Sequence, residues 1–431
     1  MSERKIEVPV LARVEGEGAL HVKIRDGQVE DLRLRIFEPP RFFETFLQQR
    51  DWWEIPDITS RICGICPVAY QLSSSQAIEA AFGAVLTPEI RALRRLYYCG
   101  EWIESHALHI HLLAAPDFFG FPDAMSLAKS HPAEVRRGLH LQGLGNDLVK
   151  MFGGRAVNPV GARPGGFYRA PSYSEVRAML ERFRAAQDDA AELIAWTAKF
   201  NFPDIQRDAP RVSLRHHSEY PMAQGNILAS TGLEIDVADF EHHYREFQVP
   251  HSTALHAHLD GKPYWVGPLP RLNNNLDRLP DATAHLLEKT GIRFPSNNPF
   301  HSAVARAVEI HIAIEEAIRI LAAYLKQPLP KPYVNIVPKE GEGAGCTEAP
   351  RGLLWHRYRF NAEGKVVKAV ITPPTSQNQA HMENDLRQSV LESLDLDDGA
   401  LQAHLEAGVR NYDPCISCST HFLKTTIDRG D

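Results

Sequence analysis

The sequence is poor in cysteine. Six in 431 residues are too few for the disulfide framework of a small secreted domain. It lacks any apolar run of the roughly 18 residues that would span a bilayer, so direct membrane insertion is not expected. It also lacks a basic stretch: 54 acidic residues against 47 basic ones leave a formal net charge of −7, which argues against a nucleic-acid partner. Neither a Gly-x-Gly-x-x-Gly fingerprint nor a Walker-type loop is present, so no nucleotide site is expected on this chain. Met1-Ser2-Glu3-Arg4-Lys5 leads into a strand pattern without a signal-peptide core. Internal repeats and low-complexity linkers are missing too.

What is there is ordinary globular material, 44% hydrophobic and 23% charged, enough for a large core. The start reads as β: Ile6, Val8 and Val10 alternate, as do Leu20, Val22 and Ile24, and Val29, Leu32 and Leu34 follow an Asp26-Gly27 turn. From about residue 68 the period becomes helical. Thr87-Pro88-Glu89 supplies a cap, a proline and an acid at a helix start, and Pro116 is expected to end that helix. Further helical patterns run at about 174–200, 301–326 and 381–396, with β regions at about 210–266 and 353–372. The expectation is an α+β fold, predominantly α: one domain over residues 1–421, with a large helical-bundle core and peripheral antiparallel sheets.

Four of the cysteines form two pairs, Cys63-Gly-Ile-Cys66 and Cys415-Ile-Ser-Cys418. Two such pairs offer four soft thiolates. Structural zinc, a redox dithiol and iron–sulfur ligation are all open on cysteine types alone. Spacing disfavours structural zinc, which joins knuckles a few tens of residues apart in domains with little core. A metal assembled from distant loops is the better account. Four thiolates can also serve two metals if two sulfurs bridge. Cys99 and Cys346 stand alone and read as buried thiols.

The surroundings are more specific. Arg61-Ile-Cys63-Gly-Ile-Cys66-Pro67 and Asp413-Pro-Cys415-Ile-Ser-Cys418-Ser-Thr-His421 resemble the two cysteine motifs of nickel–iron hydrogenase large subunits. Arg13-Val-Glu15-Gly16, Ser105-His106-Ala-Leu-His109 and Glu348-Ala-Pro350-Arg351-Gly352 match in order. The resemblance implies that Cys63 and Cys415 are terminal nickel ligands and that Cys66 and Cys418 bridge nickel to an iron carrying one carbon monoxide and two cyanides. It implies that Arg351 sits over the metals, with Asp413 as a candidate ion-pair partner, and that Pro350 and Thr375 line the diatomic ligands. Glu15 matches the glutamate that takes the proton of split hydrogen from Cys415, with Glu17 as a near competitor. Glu44 and His421, with a backbone carbonyl near Val370 or Ile371, match a site for magnesium or another metal.

Three departures point within the family. Tyr70, Ser105 and Asn158 stand where many relatives have histidine, aspartate and histidine. The pattern is most similar to the soluble bidirectional NAD(P)-linked branch, which includes sulfhydrogenase alpha subunits. That resemblance implies a cytoplasmic enzyme, and sulfur or polysulfide as a further acceptor. Its partners would be an iron–sulfur small subunit and a diaphorase-type flavoprotein carrying FAD. A maturation peptidase would remove residues 422–431. The rivals are a zinc-stabilised scaffold and the quinone-site subunit of complex I, which lacks the four cysteines. His106, His109 and His111 share a helix and read as packed, hydrogen-bonded histidines rather than a second metal site.

Overall fold

A computed structural model describes residues 3–420; His421 and the 422–431 segment lie outside the described residues. The architecture is the expected one, long helices with small antiparallel sheets at their flanks. The helix Pro88–Leu108 runs through the centre and packs on Pro132–Gly153 and Ser302–Tyr324. Its approach to Pro132–Gly153 depends on missing side chains. A Cβ on Gly145 would lie 2.5 Å from the Gly100 carbonyl oxygen, well inside van der Waals contact.

The helix Pro67–Phe82, which follows the first cysteine pair, is covered by the strand Gly341–Ala349. Glycines at every second position let that strand lie on the helix: a Cβ on Gly343 would come within 2.3 Å of Ala77 O, and one on Gly345 within 2.4 Å of Ser73 O. The strand pairs with Gly352–Phe360, which pairs with Val366–Thr372.

The N-terminal hairpin is present as read, in a three-stranded sheet of Glu3–Val8, Gly18–Arg25 and Gln28–Ile36. Val10 lies beyond the first strand and is exposed. The inner face of the sheet shares a core with Pro374–Glu392 and Asp398–Asn411 near the other end of the chain. This packing brings the first and last motifs together.

Four expectations need correction. Pro116 does not end the central helix. The chain passes through a π-helical turn at His109–Ala114 and continues as Ala115–Phe118, with Pro116 in the first turn of that segment. A wider turn before a proline takes up the missing N–H donor without breaking the path. The 174–200 pattern is two helices, Tyr173–Ala185 and Gln187–Thr197. The 381–396 pattern belongs to a helix that begins at Pro374, because its first turns are polar and buried and so lack an apolar period. The helices Pro132–Gly153 and Asp398–Asn411 were not anticipated. Glycines at 138, 143 and 145 mask the first, and polar residues dilute the second.

Candidate metal centre

The Cys63–Cys66 pair lies at the N-terminal end of the Pro67–Phe82 helix, where Pro67 is accepted because the first-turn N–H groups have no helical partner. Ile65 N and Cys66 N donate to Cys63 Sγ at 3.3 and 3.2 Å. Two further free N–H groups, of Val68 and Ala69, donate to the buried carboxyl of Glu101 at 2.6 and 3.0 Å.

The second pair is held from further away. Ile416 N donates to Glu15 O, forming a short parallel bridge between Glu15 and Cys415. Ser417 N donates to Glu15 Oε2 at 3.0 Å, and Cys415 N donates to Thr375 Oγ1 at 3.1 Å. Arg41 clamps the two loops by donating to Ile62 O and Ser417 O.

The result is a compact group of four buried sulfurs. Cys63 Sγ lies 3.3 Å from Cys415 Sγ, Cys66 Sγ 3.7 Å from Cys418 Sγ, and Cys415 Sγ 2.8 Å from Cys418 Sγ. All four cysteines are free thiols, and their ligand atoms fall within 4.8 Å of one another. Burial pushes the thiols of Cys415 and Cys418 up. Cys63 is also opposed by burial, yet its thiol falls well below the usual range because neighbouring thiols donate to it and Arg351 lies close. Four soft donors in a dry site suit a nickel-class cation, which would take the place of the protons they now share.

Arg351 and Asp413 form the buried ion pair anticipated. Arg351 Nη2 lies 3.0 Å from Asp413 Oδ1, and Nε donates to Asp413 O at 2.8 Å. Burial opposes the Arg351 charge, but Asp413 and the sulfurs of Cys415, Cys66 and Cys63 outweigh it and hold the guanidinium charged. Its Nη1 is buried and has no partner among the described residues. A buried donor without an acceptor fits a site that receives an acceptor ligand, such as a cyanide nitrogen.

Behind this pair stands a charge network with which the sequence reading did not reckon. Arg271 reaches Glu309 Oε2 and Glu348 Oε2, each at 2.6 Å, and lies over the Trp102 ring at 4.4 Å. Glu348 of the fifth motif is therefore anchored in the core. Pro350, also buried, presents its carbonyl to the same arginine at 3.5 Å. Arg306 sits 3.9 Å from Asp413 and is lowered to about 10 by burial.

Glu101, Arg306, Glu38 and Arg41 were all missed as site residues. The signal for the first two was a charged residue at a buried helical spacing, Tyr97-Glu101-Ser105 on one helix and Ser302-Arg306 on another. Glu104, beside Glu101, is only partly exposed, and burial pushes its carboxyl up to about 8.

Glu15 rather than Glu17 faces the second loop, and Glu17 is exposed. Ser417 Oγ lies 2.5 Å from Glu15 Oε1 and 2.9 Å from Glu38 Oε1. The Ser417 hydroxyl thus stands between the two carboxyl groups, within hydrogen-bond reach of each.

Glu44 is buried and accepts from Ile371 N at 2.7 Å. The contact is with the Ile371 amide rather than with a 370–371 carbonyl, and His421, the other residue of the expected metal site, lies outside the described residues. Tyr70 is buried beside Cys418 and Cys66, and burial with those sulfurs raises its phenol far above the usual range. Ser105 is buried on the central helix.

The three helix histidines are separately bonded, as read. His106 pairs with Glu309 at 2.9 Å, His109 with Arg410 O at 2.8 Å and His111 with Ala107 O at 3.0 Å. Burial lowers them to about 4, 3 and 4. Cys99 and Cys346 are buried thiols, as expected.

The family profile described as nickel-dependent hydrogenase matches residues 41–143 and 256–421, which include both cysteine pairs. The chain belongs to the nickel-dependent hydrogenase family. It is of the catalytic large-subunit type, and the four-sulfur group fits the nickel–iron centre that the family implies. The zinc-scaffold and complex I readings are set aside. Sulfhydrogenase 2 subunit alpha of Pyrococcus furiosus is 36% identical, over 97% of this chain and 99% of that protein. NAD-reducing hydrogenase HoxS subunit beta of Cupriavidus necator is 28% identical over 97% of this chain and 95% of its own length. The hydrogenase also superposes on the crystal structure of an NAD+-reducing [NiFe]-hydrogenase in the H2-reduced state, with a TM-score of 0.87 and 27% identity, covering 97% of this chain and 99% of the other.

Proposed function

We propose that this hydrogenase subunit splits and forms H2 reversibly and exchanges the electrons with NAD(P) through partner chains. The observation that carries the reading is the pairing of four buried sulfurs with an arginine whose Nη1 has no acceptor among the described residues. When bound, a nickel–iron group with one carbon monoxide and two cyanides supplies the polarising centre for heterolytic cleavage. Cys63 and Cys415 would be terminal ligands, and Cys66 and Cys418 bridging ones. Arg351, fixed by Asp413, would offer Nη1 to an iron ligand, while Pro350 and Thr375 form the adjoining wall. The proton would leave a thiolate such as Cys415 for Glu15 and pass by Ser417 to Glu38, which is partly exposed.

Glu44 and His421 would hold magnesium or another metal beside this path. Electrons would leave to an iron–sulfur small subunit. Gly64 of the first loop is exposed, with Val157, itself 57% exposed, near it; an apolar surface there suits a protein partner. A flavoprotein with FAD and further iron–sulfur subunits would complete a cytoplasmic complex, in keeping with the NAD-reducing relatives. The relatives named sulfhydrogenases make polysulfide a second acceptor to assay. Residues 1–421 would form the working domain and 422–431 a maturation peptide, and the intact mass of active enzyme checks the cut.

The deciding experiment is metal analysis with infrared spectroscopy on the purified complex, followed by H2-dependent reduction of NAD+ and NADP+. One nickel per catalytic subunit, iron beyond what the partner clusters hold, cyanide and carbonyl bands, and nucleotide reduction are expected. Zinc in place of nickel, or no nucleotide reduction by an H2-active complex, would sink the corresponding part.

A further inference from the structure

A second group of metal-ligating side chains lies away from the sulfurs. It stands at the junction of the N-terminal sheet, the hairpin of strands Tyr244–Gln248 and Leu255–Leu259, and the Pro374–Glu392 helix. His251 follows the first hairpin strand, His256 lies on the second, and Glu383 comes from the helix. Their ligand atoms fall within 4.8 Å of one another. His251 Nε2 lies 2.7 Å from Glu383 Oε1, and His256 Nε2 lies 3.5 Å from Glu383 Oε2. Leu34 N also donates to Glu383 Oε1, at 2.9 Å.

An ordinary ion pair accounts for His251 and Glu383. It leaves His256 unexplained. That side chain is 2% exposed, and neither ring nitrogen has a hydrogen-bond partner among the described residues. A buried polar atom left without a partner is destabilising, so such atoms are usually satisfied. Nothing in the sulfur chemistry calls for an imidazole here. We propose that His251, His256 and Glu383 form a site for one zinc-class divalent cation, separate from the nickel–iron centre.

Two imidazoles and one carboxylate are a common donor set for such ions. Tetrahedral bonds of about 2.0–2.2 Å place donor atoms about 3.3–3.6 Å apart. The His256–Glu383 distance already meets this. The His251–Glu383 contact would open by less than about 1 Å, its hydrogen bond giving way to two bonds to the metal. Leu34 N would remain on the carboxylate and fix its orientation. His256 Nε2 would gain its partner. His251 and Glu383 keep 20% and 18% of their side chains exposed, so water can complete the shell. His251 also lines a surface cavity of about 490 Å³, which gives the ion a route in. The ion would tie three segments together, one of them the helix whose first turn holds Thr375 against Cys415.

The test uses the assembled holoenzyme, stripped with a chelator and titrated with Co2+ and then Zn2+. One Co2+ per chain with the visible absorption of a four-coordinate site, displaced by Zn2+, is expected. His251→Gln and Glu383→Gln should each weaken Co2+ binding by at least about tenfold, since even losing a partner that only orients a ligand costs about 10–100-fold. Nickel content should stay unchanged. No Co2+ absorption in the wild type, or binding as tight as the wild type in both variants, overturns the site and leaves an ion pair only. Should Glu383→Gln fail to fold, His251→Gln, at a partly exposed position, decides alone.

Discussion

The loop around Cys63 and Cys66 is held by what lies near it in the chain, and the loop around Cys415 and Cys418 by what lies far from it. In the first, Ile65 N and Cys66 N turn back onto Cys63, and a helix begins at once, with Glu101 on its free N–H groups. In the second, Glu15, Thr375, Arg351 and Arg41 supply the contacts, and Glu15 is 402 residues from Ser417. The lesson is one of order. The first pair can take shape with its own helix. The second acquires its full shape only when both ends of the chain have docked, because Glu15 and Arg41 reach it across most of the chain.

The largest effect should erase the difference. Ala in place of Cys63, Cys66, Cys415 or Cys418 is expected to abolish H2 turnover and nickel retention alike, because each sulfur is a bond in one site. Full activity in any one variant, by gas assay and metal analysis, would remove that cysteine from the centre.

Glu15→Gln should separate chemistry from structure within the second loop. The amide keeps a carbonyl acceptor for Ser417 but cannot carry the proton. Hydrogen–deuterium exchange with solvent is expected to fall by about 10²–10⁴-fold, while the infrared bands of the centre stay in place. Unchanged exchange would pass the role to Glu17 or Arg351.

A smaller effect compares the two supports directly. Thr375→Val leaves the buried Cys415 N–H without an acceptor and should cost about 1–3 kcal/mol. Glu101→Gln keeps one acceptor at the helix N-terminus and should cost less. Urea midpoints of the two holoenzyme variants check the ranking, and the reverse order would break the contrast between local and distant support.

The smallest effect is in pH. Glu104, near Cys63, has its carboxyl raised to about 8 by burial. The stability tied to its protonated form is full below the ordinary value near 4.5 and fades as pH rises towards 8. His109, under Arg410 and the second loop, is lowered to about 3 by burial. The stability tied to its neutral form is present above the ordinary 6.5 and fades as pH falls towards 3. Unfolding midpoints should lose part of their fall between about pH 4.5 and 8 in Glu104→Gln and part of their fall between about pH 6.5 and 3 in His109→Gln. Slopes that survive both substitutions would assign them to other groups.

Much of this site was legible in the sequence because its key residues sit in short motifs whose chemistry is local: two thiolates three positions apart, a proline opening a helix, an Asp-Gly turn. The positions of Arg351 and Asp413 were readable only because their motifs resemble those of the family. Arg41, Glu101 and Glu38 were not. Each acts through a backbone group or a serine from another element, and a carboxylate on a helix face looks the same in sequence whether it meets water or the N–H groups of another helix. The Pro132–Gly153 helix was hidden because its glycines serve a close crossing rather than a turn.

The sequence by itself determined the donor atoms, the family and the alternation of long helices with short sheets. These follow from residue chemistry and from periods that need only neighbours in the chain. The tertiary structure alone decided that the thiolates at the two ends meet, that Glu15 rather than Glu17 faces the second loop, and that Arg351 keeps one donor free among the described residues. Those facts depend on how the N-terminal sheet packs on the C-terminal helices, and no local period encodes a contact that spans four hundred residues.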